Sequence, residues 1–128
     1  MKTVIIMGST SDEPHAKKIT DKLDGYGIAW EQHAASAHKQ PLKVLEILDA
    51  NKDRKDVVYI TIAGRSNALS GFVAANCESP TIGCPPFSEK TDMMVNIHST
   101  QQMPSNTPVQ TVVDPGNCAL AVKRIFGV

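Results

Sequence analysis

Three short polar runs hold most of the residues in this chain that can do chemistry. They are Gly8-Ser9-Thr10-Ser11-Asp12, Ser36-Ala37-His38-Lys39-Gln40-Pro41 and Gly64-Arg65-Ser66-Asn67. In the second run a hydroxyl, a titratable base and a cation stand close together. Imidazole titrates near neutral pH, so His38 can take or give a proton with little tuning. Lys39 beside it suits a phosphate as a point charge. In the first run, glycine permits close backbone approach to a ligand. Serine hydroxyls and the free N–H groups of a helix start suit a phosphate. Asp12, an acceptor, suits ribose hydroxyls better. The same run also reads as an ordinary capped helix start. No Gly-Lys-Ser/Thr follows, so it is not a P-loop, and no G-x-G-x-x-G occurs. In the third run Gly64 permits close approach. Ser66 and Asn67 either cap the next helix or donate toward a bound group.

The remaining titratable residues lack such company. His15, His33 and His98 read as structural or solvated. Cys84, before Pro85-Pro86, is only a weak candidate nucleophile. The His and Cys residues do not fall at metal-ligand spacings and there is no acidic cluster, so no metal is expected.

Hydrophobic runs and helical patterns alternate around these loops. Thr3 to Met7 is apolar without polar alternation, the pattern of a strand buried on both faces. A helix follows, capped by Ser11 or Asp12 with Pro14 in its first turn. Ala16, Ile19, Leu23 and Tyr26 form its apolar face, and Gly25 and Gly27 end it. Ile28 to Ala34 reads as a second strand. Pro41 opens a helix with Leu42, Leu45 and Leu48 as its buried stripe. Val57 to Ala63 is a β-branched-rich strand, followed by a helix through Leu69, Phe72 and Val73. Thr81 to Cys84 is a fourth strand, Lys90 to Ser99 a helix, and Val109 to Val113 a fifth strand. Asp114-Pro115 starts a last helix carrying Leu120, Val122, Ile125 and Phe126. Five β-α units predict an α/β three-layer sandwich, flavodoxin-like, with a five-stranded parallel sheet between helices. Ligands in such sheets sit beyond the C-terminal strand ends, where the three polar runs fall.

Composition bounds the rest. A chain of 128 residues, 41% hydrophobic and 20% charged, is enough for a single domain over 1–128. Lys+Arg and Asp+Glu both number 13. A neutral chain has no general attraction to nucleic acid or anionic membrane, so neither is an expected partner. It also does little to oppose self-association. Three widely spaced cysteines read as reduced core thiols of a cytosolic protein. The apolar run near the N-terminus stops at Gly8, too early for a signal peptide or a membrane span. A cytoplasmic location is expected.

Four segments occur in an order that resembles one enzyme family. They are MGSTSD near the start, SAHK after the second strand, AGRSNALSG after the third and CPP after the fourth. The chain resembles the phosphoribosylaminoimidazole carboxylase (PurE) family of purine biosynthesis from about Val4 to the last helix. AGRSN and the Lys in SAHK resemble its class II branch, which carboxylates 5-aminoimidazole ribonucleotide (AIR) with CO₂ to give 4-carboxy-5-aminoimidazole ribonucleotide (CAIR). The class I branch, an N5-carboxyaminoimidazole ribonucleotide mutase, typically has Arg after that His. The resemblance implies that Ser9 and Asp12 contact the ribose phosphate portion, and that Ser36 and Lys39 hold the 5′-phosphate region. It makes His38 the general acid/base. Gly64, Ser66 and Asn67 would line the place of CO₂ or the new carboxylate. It implies no cofactor, small-molecule partners AIR and CO₂, and a homo-oligomer, an octamer or tetramer. Two departures stand out. Family members commonly continue into a further C-terminal helix that packs on a neighbour, whereas this sequence stops at Val128. The M-P-S-G pattern here reads Met103-Pro104-Ser105-Asn106, and Asn is the residue best able to replace a glycine at positive φ.

Two alternatives are the class I mutase and a flavodoxin-like mononucleotide-binding module. Lys39 and GRSN argue against the first. Flavin sites generally want loop aromatics, and aromatics are 5% of this chain, with Trp30 and Tyr59 inside strands. A phosphorelay receiver needs an acidic residue where Gly64 stands and is rejected.

Overall fold

The computed structural model describes residues 1–128. Five parallel strands form one sheet: β1 Lys2–Met7, β2 Ala29–Ala34, β3 Val57–Ile62, β4 Thr81–Gly83 and β5 Gln110–Thr111. Their order is β2-β1-β3-β4-β5. Five helices connect or follow them: α1 Glu13–Gly25, α2 Pro41–Ala50, α3 Leu69–Ala75, α4 Lys90–Gln101 and α5 Pro115–Phe126. The expected α/β architecture is the one observed. Strands four and five pair over shorter stretches than their apolar runs.

Why the strands lack polar alternation is plain from their neighbours. On β1, Ile5 and Met7 join Val58, Ile60, Ile62 and Ile82 beneath α1 and α5. The alternate residues Val4 and Ile6 join Val57 and Tyr59 beneath α2 and α3. β1 and β3 thus feed two cores, so both sets of their alternating positions are apolar, whereas the edge strand β2 carries Glu31, Gln32 and His33 and buries none of its residues. A helix can also approach the sheet closely where β4 has no side chain. A Cβ on Gly83 would lie 2.6 Å from Thr100 Cγ2 on α4.

Some helix details differ from the sequence expectation. The buried face of α2 is Val44, Ile47 and Leu48, while Leu42 and Leu45 are 72% and 38% exposed. The expected stripe followed the leucines, but the helix turns its β-branched residues toward β1 and β3. On α5, Cys118, Ala119 and Val122 are buried, Leu120 is half-buried and Ile125 is exposed. Small residues there let α5 lie close to the sheet and α1. Neither Ser11 nor Asp12 caps α1 with its side chain. Instead Ser9 caps a short 3₁₀ turn over Thr10–Asp12, its Oγ accepting from Ser11 N at 3.2 Å. Asp114 caps α5 as expected, accepting from Asn117 N at 2.8 Å. Asn106 takes φ 62°, the left-handed conformation for which Asn is suited.

Candidate active site

The strand order reverses between β1 and β3: the chain leaves β1 toward β2 and then returns across it to β3. Loops leaving the C-terminal ends of these two strands diverge, which opens a crevice. A cleft with two lobes lies there. The smaller, about 200 Å³, includes Gly8, Ser9, Ser36, His38, Gly64 and Ser66 in its lining. The larger, about 560 Å³, includes Ser11, His15, Lys18, Phe87, Ser88 and Asp92. Ser9, Asp12, Gly64 and Arg65 line both.

Backbone pairing sets the rims. Gly8 N donates to Ile62 O at 2.9 Å and Ala35 N to Met7 O at 2.8 Å, extending the sheet to the loop starts. The His38 loop is a tight turn built on Ser36. Gln40 N donates to Ser36 O at 2.7 Å, and Lys39 N donates to Ser36 Oγ at 3.2 Å. Lys43 reaches back from α2 to the Ala34 carbonyl at 2.6 Å. This turn holds the His38 backbone in place while its side chain stays exposed at the small lobe.

The Gly64–Asn67 loop is anchored from the opposite side. Asn67 Oδ1 accepts from Ser70 N at 3.0 Å, and its Nδ2 donates to Ser70 Oγ at 2.7 Å and Thr100 Oγ1 at 3.1 Å. Asn67 N donates to Ser99 Oγ at 2.5 Å. Ser70 Oγ also pairs with Thr61 Oγ1 at 2.6 Å, and Thr100 Oγ1 donates to Asn96 O at 2.8 Å. Thr61, Ser70 and Thr100 are fully buried, so the network is shielded from competing water. Asn96 Nδ2 donates to Pro86 O at 2.5 Å and fastens the segment after β4 to α4.

Of the residues singled out from sequence, Ser9, Asp12, Ser36, His38, Gly64 and Ser66 meet in the small lobe. Asn67 does not line the cleft; its side chain is spent on capping α3 and tying it to α4. Lys39 lies on the loop outside the cleft lining. His33 pairs with Glu31 at 2.5 Å and His98 is exposed, in keeping with structural or solvated roles. His15 differs: it stands in the wall of the large lobe with Lys18. Its helical position gave no hint, because the fold alone brings the first turns of α1 to the cleft. Arg65 stands at the junction of the lobes, a place that its neighbours in the Gly64–Asn67 run do not signal. Burial raises the Asp12 carboxyl above its ordinary range, opposed by the nearby His15 and by a hydrogen bond from the backbone at Ser9. No group of three or more His, Cys, Asp or Glu side chains is arranged to hold a metal ion.

Fold and cleft define an open, doubly wound α/β domain with a polar ligand crevice at the point where strand order reverses. A profile of one family, AIR carboxylase, matches residues 2–128, and the chain belongs to that family. It is 51% identical over 126 residues to a phosphoribosylaminoimidazole carboxylase of Archaeoglobus fulgidus, covering 98% of this chain and 69% of that one. A bifunctional phosphoribosylaminoimidazole carboxylase/phosphoribosylaminoimidazole succinocarboxamide synthetase of Homo sapiens is 35% identical over 127 residues, which cover 98% of this chain and 30% of the human one. The crystal structure of Treponema denticola PurE superposes with a TM-score of 0.90 at 43% identity, covering 98% of this chain and 80% of that one.

Proposed function

We propose that this protein carboxylates AIR with CO₂ to CAIR in purine biosynthesis, with His38 as the general acid/base. The observation that carries the reading is the small lobe, where His38 shares one lining with Ser9, Asp12, Gly64 and Ser66. The names of the relatives support the reaction, and the cleft supplies groups suited to it.

The amine of the aminoimidazole ring makes the neighbouring ring carbon nucleophilic. Attack on CO₂ leaves that carbon tetrahedral, bearing both a hydrogen and the new carboxylate. Removal of the hydrogen as a proton restores aromaticity. His38 is the base for that step, and it returns the proton in the reverse direction. Ser9 and Asp12 hold the ribose phosphate portion and Ser36 the 5′-phosphate region, to which Lys39, exposed on the same turn outside the lining, supplies positive charge. Gly64 and Ser66 hold CO₂ beside the ring, a task of proximity and preorganised donors. Asn67 acts through the shape it gives the loop. The domain works as a homo-oligomer in the cytoplasm; its neutral charge offers little repulsion against assembly. No helix is long and apolar enough to cross a membrane.

Lys39 and the GRSN run favour direct use of CO₂ over the mutase reaction. Purified protein supplied with AIR and bicarbonate should yield CAIR without ATP. Product only from N5-carboxyaminoimidazole ribonucleotide would assign the mutase reaction instead.

A further inference from the structure

Away from the cleft, two buried oxygens without a hydrogen-bond partner belong to residues that line one cavity. They are the Tyr59 hydroxyl, on β3, and Oδ1 of Asn51, the residue that ends α2. Tyr59 is 1% exposed and Asn51 4%. Asn51 Nδ2 donates to Ile47 O at 2.9 Å, so the amide is held with Oδ1 as its free end. Asn51 stands near enough to bear on the phenol, yet no hydrogen bond joins the two. Burial pushes the Tyr59 phenol up to about 12, so the hydroxyl keeps a proton to donate at neutral pH. Folded proteins leave few buried oxygens unpaired, because each then bears its full desolvation cost.

The cavity measures about 360 Å³ and is lined from the last turns of α2 and α3. Leu48, Ala75 and Cys77 join the Tyr59 ring as its apolar wall. It shares no lining residue with either lobe of the cleft. Its charges disfavour an anion. Lys52 is paired with Asp49 at 3.1 Å and Arg54 with Asp56 at 2.9 Å, whereas Glu78 has no ion-pair partner. Asn51 and Asn76 end α2 and α3 within this lining, so the negative ends of two helices meet there.

We propose that this cavity binds a neutral nucleobase, free or as its nucleoside, through Asn51 Oδ1 and the Tyr59 hydroxyl. Asn51 Oδ1 accepts an N–H of the base, and the Tyr59 hydroxyl donates to the ring nitrogen or carbonyl beside it. Nucleobases carry such a donor next to an acceptor on one edge. Their flat rings suit the apolar wall. A phosphate or carboxylate lacks the donor and would meet Glu78 and the helix ends. The site stands apart from the carboxylation reading and does not depend on it.

Cys77 gives the test a local reporter. It is half-buried in the lining, whereas Cys84 and Cys118 are fully buried, and all three are free. The rate of Cys77 alkylation by iodoacetamide is followed by peptide mass in the full-length protein, with adenosine or uridine as the probe. Adenosine offers an amino group beside a ring nitrogen, and uridine a ring N–H beside a carbonyl. The tighter binder, at about nine times its Kd, should slow alkylation about tenfold, since the free fraction falls as 1/(1 + [L]/Kd). Its N-methylated counterpart, N6,N6-dimethyladenosine or 3-methyluridine, lacks the donor and should bind about tenfold more weakly. Tyr59→Phe should also weaken the probe about tenfold, each rate being compared with the same variant without probe. Without probe, Tyr59→Phe should unfold at a urea concentration no lower than wild type, because the deleted hydroxyl had no partner. Alkylation slowed by neither nucleoside would mean that the cavity holds water only, and would overturn the proposal. Equal affinity for the N-methylated probe or in Tyr59→Phe would overturn it too, as would a destabilised Tyr59→Phe protein.

Discussion

Replacing Asn67 with Ala should loosen the loop that carries Gly64, Arg65 and Ser66 without touching the cleft itself. The side chain makes three hydrogen bonds: one accepted from Ser70 N, and one donated to each of the Ser70 and Thr100 hydroxyls. The first is a helix cap, worth about 1 kcal/mol. The other two are side-chain bonds worth about 1 kcal/mol each. Their partners are buried but not orphaned, because Ser70 keeps Thr61 and Thr100 keeps the Asn96 carbonyl. The full penalty for an unsatisfied buried group therefore does not apply. The expected loss is about 2–3 kcal/mol, or roughly 10 °C in Tm for a chain of this size. Asn67→Ser keeps a cap acceptor but cannot reach Thr100, and should lose about half as much. Urea unfolding of the three proteins measures the difference, and kcat/KM for AIR should fall in the same order. An Asn67→Ala protein within about 0.5 kcal/mol of wild type would refute the claim that this network holds the loop.

Three further outcomes follow from particular contacts. Gly83→Ala should destabilise by about 1–3 kcal/mol through overpacking, since its Cβ would meet Thr100 Cγ2 at 2.6 Å. Adding Thr100→Ser removes that methyl and keeps the hydroxyl, so chemical denaturation should show recovery in the double variant. Asp12→Asn should stabilise the fold at neutral pH while weakening nucleotide binding. Its folded carboxyl is raised by burial, so the charged form costs stability. The cost sets in as pH rises above the unfolded value of about 4 and is complete above the folded one. The stability difference between variant and wild type should therefore vanish in acid; a pH-independent difference would exclude this cause. Lys39→Ala should weaken nucleotide binding, more at low salt than at high, because phosphate attraction is screened. Titration calorimetry at two ionic strengths checks it, and an unchanged Kd would remove Lys39 from the phosphate region.

How far the sequence led depends on which physical signal each feature left. The doubly buried strands were legible because Val4, Ile5 and Ile6 feed two cores and show no polar alternation. The loops at Gly8 and Gly64 were legible because each follows an apolar run, while the His38 loop follows the mixed edge strand β2 and was legible from its own residue types. Leu42 and Leu45 misled because hydrophobicity does not say which face of a short helix turns inward; β-branched Val44 and Ile47 took that face. His15 was missed because its role comes from tertiary placement, not from its neighbours in sequence. Asn67 had two readings, cap or ligand donor, and its hydrogen bonds place its side chain in the cap.

The most direct test of the central reading follows labelled bicarbonate into product under single turnover, in wild type and His38→Asn. The wild type should place the label in the carboxylate of CAIR. His38→Asn should bind AIR with an unchanged Kd yet incorporate label about 10²–10⁴-fold more slowly, the range of a lost general base. Incorporation at the wild-type rate by the variant would contradict the role of His38, and no incorporation by the wild type would contradict direct carboxylation.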